Sequence, residues 1–331
     1  MSQVGTPQWI RSQLPALRQI LEGKKRAVVG THMSPDGDAL GSAIAFSLWL
    51  DQIGLENEVL CQDAPPSNLN WLPHVDRVRQ EPIGGPFDVG VIIDLEAMSR
   101  LGRAAPYFEG LPQLVTIDHH IPVESPGDLR IVSTKSPATA AILCDLFFDS
   151  DVEVTPEMAT CLATGIVTDT GSFRYANTTA HSLHLVARLL DAGVNLAEIS
   201  EAVYMSRRLP AARLTGHVLS NMRLECGGRL AWVVVPNEIF ELYGAADQDT
   251  EGLANELLSV ETVQVAAVLR EHKPGKIRGS LRSRSHFDVA GVAREFGGGG
   301  HKNAAGVSFD GDIDKAERQL VEALKLCLDS S

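Results

Sequence analysis

Apolar residues recur along the chain in two rhythms. Ala27-Val28-Val29, Phe87 to Ile93 and Leu114 to Ile117 are short, nearly unbroken runs with the length of buried strands. Between and around them the spacing turns helical. Trp9, Ile10, Leu14, Leu17, Ile20 and Leu21 predict an amphipathic opening helix over Pro7 to Gly23. Ala39 to Ile53 reads as a helix stopped by Gly54, and Met98 to Phe108 is compatible with one, with Pro106 near its end. Ser136 to Phe148 and Thr155 to Val167 follow as helices. The second of these has Thr155 as N-cap, Pro156 at its first position and Glu157 in its first turn. Glu58 to Cys61 is a short strand candidate, and Ala64 to Pro86 is loop-like with one short helix. Strands alternating with helices predict an α/β fold with a doubly wound, mainly parallel sheet.

The pattern changes past the middle of the chain. Thr179 to Leu190 and Leu196 to Tyr204 read as helices, and Ser206 to Pro210 breaks the periodicity. Beyond it, Leu230 to Val235, Thr262 to Arg270 and Lys276 to Leu281 read as strands, with Pro274-Gly275 as a hairpin turn. Phe287 to Phe296 and Asp314 to Leu328 read as helices. The expected organisation is therefore an α/β domain over 1–192, a helical linker over 193–215 and a smaller mixed α/β domain over 216–331.

The length of 331 residues suits two such domains. No apolar run approaches the length of a membrane span, and residues Met1 to Arg18 lack the apolar stretch of a signal peptide. Cys61, Cys144, Cys161, Cys226 and Cys327 are scattered without a C-x-x-C pair, so neither a zinc cage nor a disulfide framework is expected. Reduced thiols fit a cytoplasmic protein. The net charge of −13 argues against broad, non-specific binding of nucleic acid, but leaves room for a local phosphate site.

Candidate chemistry gathers at the ends of the buried runs. Thr31-His32-Met33-Ser34-Pro35-Asp36-Gly37-Asp38 follows the first strand and offers one imidazole and two carboxylates. Asp94 follows the second major strand, Asp118-His119-His120 the third, and Asp169 a helix. In a parallel sheet the strand C-termini share one edge, so these groups are expected to converge. Carboxylates crowded together repel one another unless cations sit among them. Two divalent metals sharing a carboxylate relieve that repulsion and make a hydrolytic centre. His119 and His120 are neighbours on a strand end and are expected to diverge, one to metal and one to substrate.

The order H-x-x-x-D-x-D, D, D-H-H and D-T-G resembles the DHH phosphoesterase superfamily. Ser280-Leu281-Arg282-Ser283, Phe296-Gly297-Gly298-Gly299-Gly300-His301 and Ala304-Ala305-Gly306 resemble its associated C-terminal substrate-binding domain. Together with the length they resemble the bacterial nanoRNase subfamily, which joins oligoribonuclease to 3′-phosphoadenosine-5′-phosphate (pAp) phosphatase activity. The resemblance implies two Mn²⁺ ions, with Mg²⁺ or Co²⁺ able to stand in. It implies His32, Asp36 and Asp94 around one, and Asp38, Asp94, His119 and Asp169 around the other, with Asp94 as the bridge. His120 would face the scissile phosphate, polarising it or protonating the leaving oxygen. Arg100 sits where a phosphate contact is expected, although Glu96 is unusual company for an anion. A homodimer is implied by the resemblance alone.

In the second domain, Arg270, Lys273, Lys276, Arg278, Arg282, Arg284, Arg294 and Lys302 outnumber the acids around them. A phosphate clamp is expected there, from Arg282 and Ser283, the backbone of Gly299 and Gly300, and His301. The expected function is an Mn²⁺-dependent phosphoesterase on short single-stranded RNA or DNA oligonucleotides and on pAp. The alternatives are a phosphodiesterase for linear or cyclic dinucleotides such as pApA and c-di-AMP, an inorganic pyrophosphatase, a RecJ-like exonuclease and a non-enzymatic nucleotide sensor.

Overall fold

The computed structural model describes residues 8–123, 126–148, 150–284 and 287–329, without the side chains of Arg11, His272, His301 and Asp329. The chain divides into two compact units, Met1–Ser206 and Arg207–Ser331.

The first unit is built on six strands: β1 (Arg26–Gly30), β2 (Glu56–Leu60), β3 (Val78–Arg79), β4 (Val89–Ile93), β5 (Leu114–Asp118) and β6 (Leu129–Val132). They lie in the order β3-β2-β1-β4-β5-β6, and every neighbouring pair is parallel. The order reverses between β1 and β4, the switch point at which such sheets leave a crevice. Successive side chains of a strand face opposite ways. Val29, Val91, Ile93, Val115 and Ile117 enter one core with the long helices. Val28, Leu60 and Ile92 enter a second, smaller core with Leu101 and Phe108. Met98–Tyr107, expected as a helix, is instead 3₁₀-helical and kinked at Gly102. The opening helix is also two pieces, Gln8–Arg11 and Gln13–Leu21, and Trp9 is exposed rather than in the core. Its expected start at Pro7 lies outside the described residues.

The residues expected to form a linker are shared out. Helix Leu196–Tyr204 sends Ile199 into the main core of the first unit. Helix Leu209–Ser220 sends Leu214 and Val218 into a core of the second. The second unit contains β7 (Arg223–Glu225), β8 (Leu230–Val235), β9 (Val265–Lys273), β10 (Lys276–Ser283), β11 (Gly299–His301) and β12 (Ala304–Asp310). Their order is β11-β12-β10-β9-β8-β7; only β8 and β9 run parallel. One sheet face packs Leu230, Val265, Ile277 and Leu281 against helices Val289–Glu295 and Ile313–Asp329. The other packs Val233, Ala266 and Val268 against helices Leu209–Ser220, Asn237–Tyr243 and Leu253–Leu258. Among the described residues no helix is long and apolar enough to cross a membrane.

Candidate metal centre

The loop after β1 delivers three of the expected groups. Asp36 caps helix Gly37–Gln52, its Oδ1 accepting from the N–H groups of Asp38 and Ala39, both at 3.0 Å. Its Oδ2 lies 3.9 Å from His32 Nε2. In the first turn of that helix, Asp38 is fully buried. Its Oδ1 accepts from Ser42 Oγ at 3.0 Å and from the N–H of Ala140 at 2.9 Å; its Oδ2 accepts from the N–H of Thr139 at 2.6 Å. Those two N–H groups open helix Thr139–Phe147, a terminus that attracts negative charge. A Cβ on Gly165 would come within 2.5 Å of Asp38 Oδ1, so glycine is needed for the carboxylate to fit.

Asp94 follows β4 in the left-handed region, at φ 62°. Its Oδ2 lies 3.6 Å from His32 Nε2, and its Oδ1 lies 3.6 Å from His119 Nε2. Thr139 Oγ1 donates to the same Oδ1 at 2.8 Å. Asp169, the last residue of helix Pro156–Asp169, brings Oδ2 to 3.2 Å from His119 Nε2. That approach is not aligned as a hydrogen bond, and His119 Nε2 is buried without a hydrogen-bond partner.

The two outer histidines are oriented by backbone carbonyls. His32 Nδ1 is 2.9 Å from the carbonyl oxygen of Met33, and His119 Nδ1 is 3.4 Å from that of Ser136. Nδ1–H donating there leaves Nε2 turned to the carboxylates, the arrangement a metal-ligating histidine uses. His120 differs. Its Nδ1 is 2.8 Å from Asp118 Oδ1 and 3.7 Å from Asp94 Oδ1. The expected divergence of His119 and His120 is not found: their rings meet edge to face, centroids 4.4 Å apart. β5 ends at Asp118, so strand alternation does not govern the pair.

Charge is strongly coupled here. Burial opposes ionisation of His32 and His119, yet the carboxylates outweigh it. Asp94 above all holds His32 up at about 9, and Asp169 above all holds His119 up at about 10. Burial would raise Asp94, but His32 and His119 hold it at about 2. Burial pushes Asp169 up to about 6, helped by Asp94 and Asp36, and it pushes Asp38 up as well, helped by Asp94 and Asp169. Among the described residues three sets of ligand atoms lie close enough to hold an ion: His32, Asp36 and Asp94; Asp38, His119 and Asp169; and Asp94, His119 and His120.

Arg100 is half-exposed, with Nε 3.8 Å from Glu96, its neighbour one turn earlier. Its backbone carbonyl accepts from the N–H of Met33 at 2.8 Å, tying it to the first loop.

In the second unit the expected basic excess is largely spent on internal partners. Asp247 accepts from Arg270 Nε at 2.8 Å and Arg278 Nη1 at 2.9 Å, Asp310 from Lys276 Nζ at 2.6 Å, and Arg284 donates to the carbonyl of Val263 at 2.8 Å. Arg282 keeps a place on the less covered sheet face, where β10 aligns it with Ala304 and β12 aligns Ala304 with His301. Ser283, expected beside it at the substrate, faces the other way and is buried. Its hydroxyl donates to the carbonyl of Phe287 at 2.8 Å and accepts from Asn303 Nδ2 at 2.9 Å. Gly299 and Gly300 lie on the edge strand β11, exposed and aligned with Gly306 and Ala305 of β12. At Gly300, with φ 141°, a Cβ would lie 2.4 Å from the carbonyl oxygen of Ala304, so glycine is required by strand packing. The side chain of His301 lies outside the described residues.

Residues the sequence pattern did not single out complete the centre. Thr139, Ala140 and Ser42 fix the carboxylates. Asp118, part of the expected D-H-H cluster without a role of its own, orients His120. For Thr139 the sequence carried no signal.

The comparisons with known proteins place the chain in a family. The DHH family, N-terminal domain, matches residues 26–166, and the DHHA1 domain matches residues 238–329. A relative from Thermus thermophilus, named bifunctional oligoribonuclease and PAP phosphatase NrnA, is 35% identical over 90% of this chain and 88% of its own length. A protein of the same name from Bacillus subtilis is 27% identical over 91% of this chain and 94% of its own. The crystal structure of an exopolyphosphatase-related protein from Bacteroides fragilis superposes with a TM-score of 0.88, covering 98% of each chain at 28% identity. Two aligned domains and a relative matched along nearly its whole length lead to one conclusion: this chain belongs to the DHH family, with a DHHA1 domain in its C-terminal part.

Proposed function

We propose that the chain is a phosphoesterase dependent on two divalent cations, Mn²⁺ foremost, that hydrolyses very short oligoribonucleotides to mononucleotides and pAp to AMP and phosphate. The observation that carries the reading is Asp94, whose two oxygens each face a different histidine at 3.6 Å. One cation would be held by His32, Asp36 and Asp94, the other by Asp38, Asp94, His119 and Asp169. The donor set suits hard divalent ions, being carboxylates and imidazoles without a thiolate. The buried, partnerless Nε2 of His119, aimed among three carboxylates, suits a cation as well. When bound, the cations polarise the scissile phosphoryl group and lower the pKa of the attacking water.

The chain's own residues do the rest. Thr139 and the start of its helix hold Asp94 and Asp38 in register. Asp118 keeps a proton on His120 Nδ1 and favours the imidazolium. His120 then presents Nε2–H to the substrate phosphate and passes that proton to the leaving oxygen. Arg282 grips a substrate phosphate in the second unit. The substrate classes are carried over from the names of the Thermus and Bacillus relatives. The test is to present purified protein and Mn²⁺ with a diribonucleotide, a long oligoribonucleotide, pAp and pyrophosphate in parallel. The diribonucleotide and pAp should be consumed fastest. Pyrophosphate consumed alone would overturn the reading.

A further inference from the structure

The same sheet edge carries a second concavity. A cavity of about 510 Å³ is walled by segments that leave the carboxyl ends of β2, β3 and β4, and it contains Arg79, Gln80, Arg103, Tyr107, Asp76 and Glu81. Its volume is in the range of small-ligand sites, which run from about 300 to 1,000 Å³. We propose that this cavity binds a nucleoside 5′-monophosphate group at a site separate from the metal centre.

The cations in the cavity are prepared for an anion. Arg79 is exposed and forms no ion pair with any described residue. Arg103 is aimed by Gln62, whose Oε1 accepts from the Arg103 N–H at 3.0 Å and whose carbonyl accepts from Nη2 at 3.1 Å. That aim depends on the kink at Gly102, with φ 56°, where a Cβ would strike Gln62 Oε1 at 2.1 Å. Two arginines suit a phosphate. Asp76 and Glu81 would repel a bare inorganic anion, but they are acceptors for ribose hydroxyls and base amino groups. Tyr107 and Pro65 add flat apolar surface for a base.

The cavity wall is also joined to the metal-centre loop. The N–H of Cys61 donates to the carbonyl of Arg79 at 2.9 Å, and its thiol donates to the carbonyl of His32 at 3.3 Å. Asp63 Oδ2 accepts from the N–H of Ser34 at 2.8 Å. A group bound at Arg79 is thus connected by hydrogen bonds to the segment that presents His32 and Asp36.

The bound group could be the far nucleotide of a substrate or a free mononucleotide. The experiment separates these. The full chain with its metals is irradiated with 8-azido-AMP, and the labelled peptides are mapped by mass spectrometry, for the unaltered protein and for Arg79→Glu. Both chains are checked for the same melting temperature. Label is expected on the segments around residues 76–81 and 103–107. In Arg79→Glu it should fall by about tenfold or more, the loss expected for a charge-assisted hydrogen bond. Label confined to other segments, or equal labelling in the variant, would overturn the proposal. A second arm compares kcat/KM for oligoribonucleotides of increasing length, and it alone rests on the function proposed above. If Arg79→Glu selectively weakens the longer substrates, the group is part of the substrate. If only labelling changes, it is a free mononucleotide. Failure of the unaltered protein to hydrolyse any oligonucleotide would sink the proposed function while leaving the labelling result to stand by itself.

Discussion

The hydroxyl of Thr139 donates to Asp94 Oδ1 at 2.8 Å, while the backbone N–H of the same residue donates to Asp38 Oδ2 at 2.6 Å. One residue thus fixes two carboxylates that come from the ends of different elements. Outer partners of metal ligands typically govern affinity by about 10–100-fold. Thr139→Val keeps the shape and the N–H but removes the hydroxyl, leaving the buried Asp94 short of a donor. Mn²⁺ affinity, read by titration with metal content measured after desalting, should fall by about that factor. Thr139→Ser should keep it. Equal affinities in all three proteins would show that the hydroxyl is not what positions Asp94.

His120 and Asp118 make a second pair with a separable signature. His120→Ala should retain bound metal yet lose about 10²–10⁴-fold in turnover, the usual weight of a general acid. Burial lowers the His120 imidazole, but Asp118 and Asp94 raise it above its ordinary value. A group acting as an acid must be protonated, so activity should fall as pH rises through that raised value. Asp118→Asn removes the charge that sustains it, and the alkaline limb of kcat/KM should move to lower pH. An unmoved limb would dissociate Asp118 from the proton. Metal loss in His120→Ala, with retention in His119→Ala, would exchange the two histidines' roles.

Much of this was legible in the chain, and for physical reasons. Buried parallel strands are written as apolar runs, and two of them end directly on a carboxylate: Asp94 after Ile93, Asp118 at the close of β5. Thr155 caps its helix as its spacing implied, accepting from the N–H of Met158. The partners of those groups were not legible. Thr139 reaches Asp38 across about 100 residues, and no local periodicity records such a contact. Pro210 breaks the periodicity of the sequence, yet it lies in the first turn of helix Leu209–Ser220, where its missing N–H costs nothing. Short helices such as Leu253–Leu258 offer too few residues for a period to show. In the second unit, composition misled: the basic residues between Arg270 and Lys302 are numerous, but Asp247 and Asp310 neutralise several of them.

The raised histidines predict how metal binding couples to pH. With His32 at about 9 and His119 at about 10, both carry protons near neutral pH before metal enters. A cation needs the neutral ring, so binding should expel both imidazole protons, together with any held by the buried Asp38, and tighten as pH rises from 7 toward 9. Calorimetric titration of Mn²⁺ in buffers of different ionisation heat reads the number directly. Heats independent of buffer would mean that the imidazoles do not exchange protons for metal.

Arg282 tests the role of the second unit. Arg282→Ala should leave metal content intact and lower kcat/KM for a diribonucleotide by about ten- to a hundred-fold, the worth of a charge-assisted hydrogen bond. A long oligoribonucleotide has other phosphates to offer and should lose less. Equal losses on both substrates would point to general electrostatic attraction, and no loss on either would remove Arg282 from the binding surface.

The central claim is that the cluster around Asp94 is a two-cation phosphoesterase centre. Its most direct test is diribonucleotide turnover as Mn²⁺ is returned to chelator-stripped protein, with bound metal counted at each step. The account predicts no turnover in the stripped protein and full turnover only as the second ion per chain fills. Undiminished hydrolysis in stripped protein, or full activity with one ion bound, would contradict it.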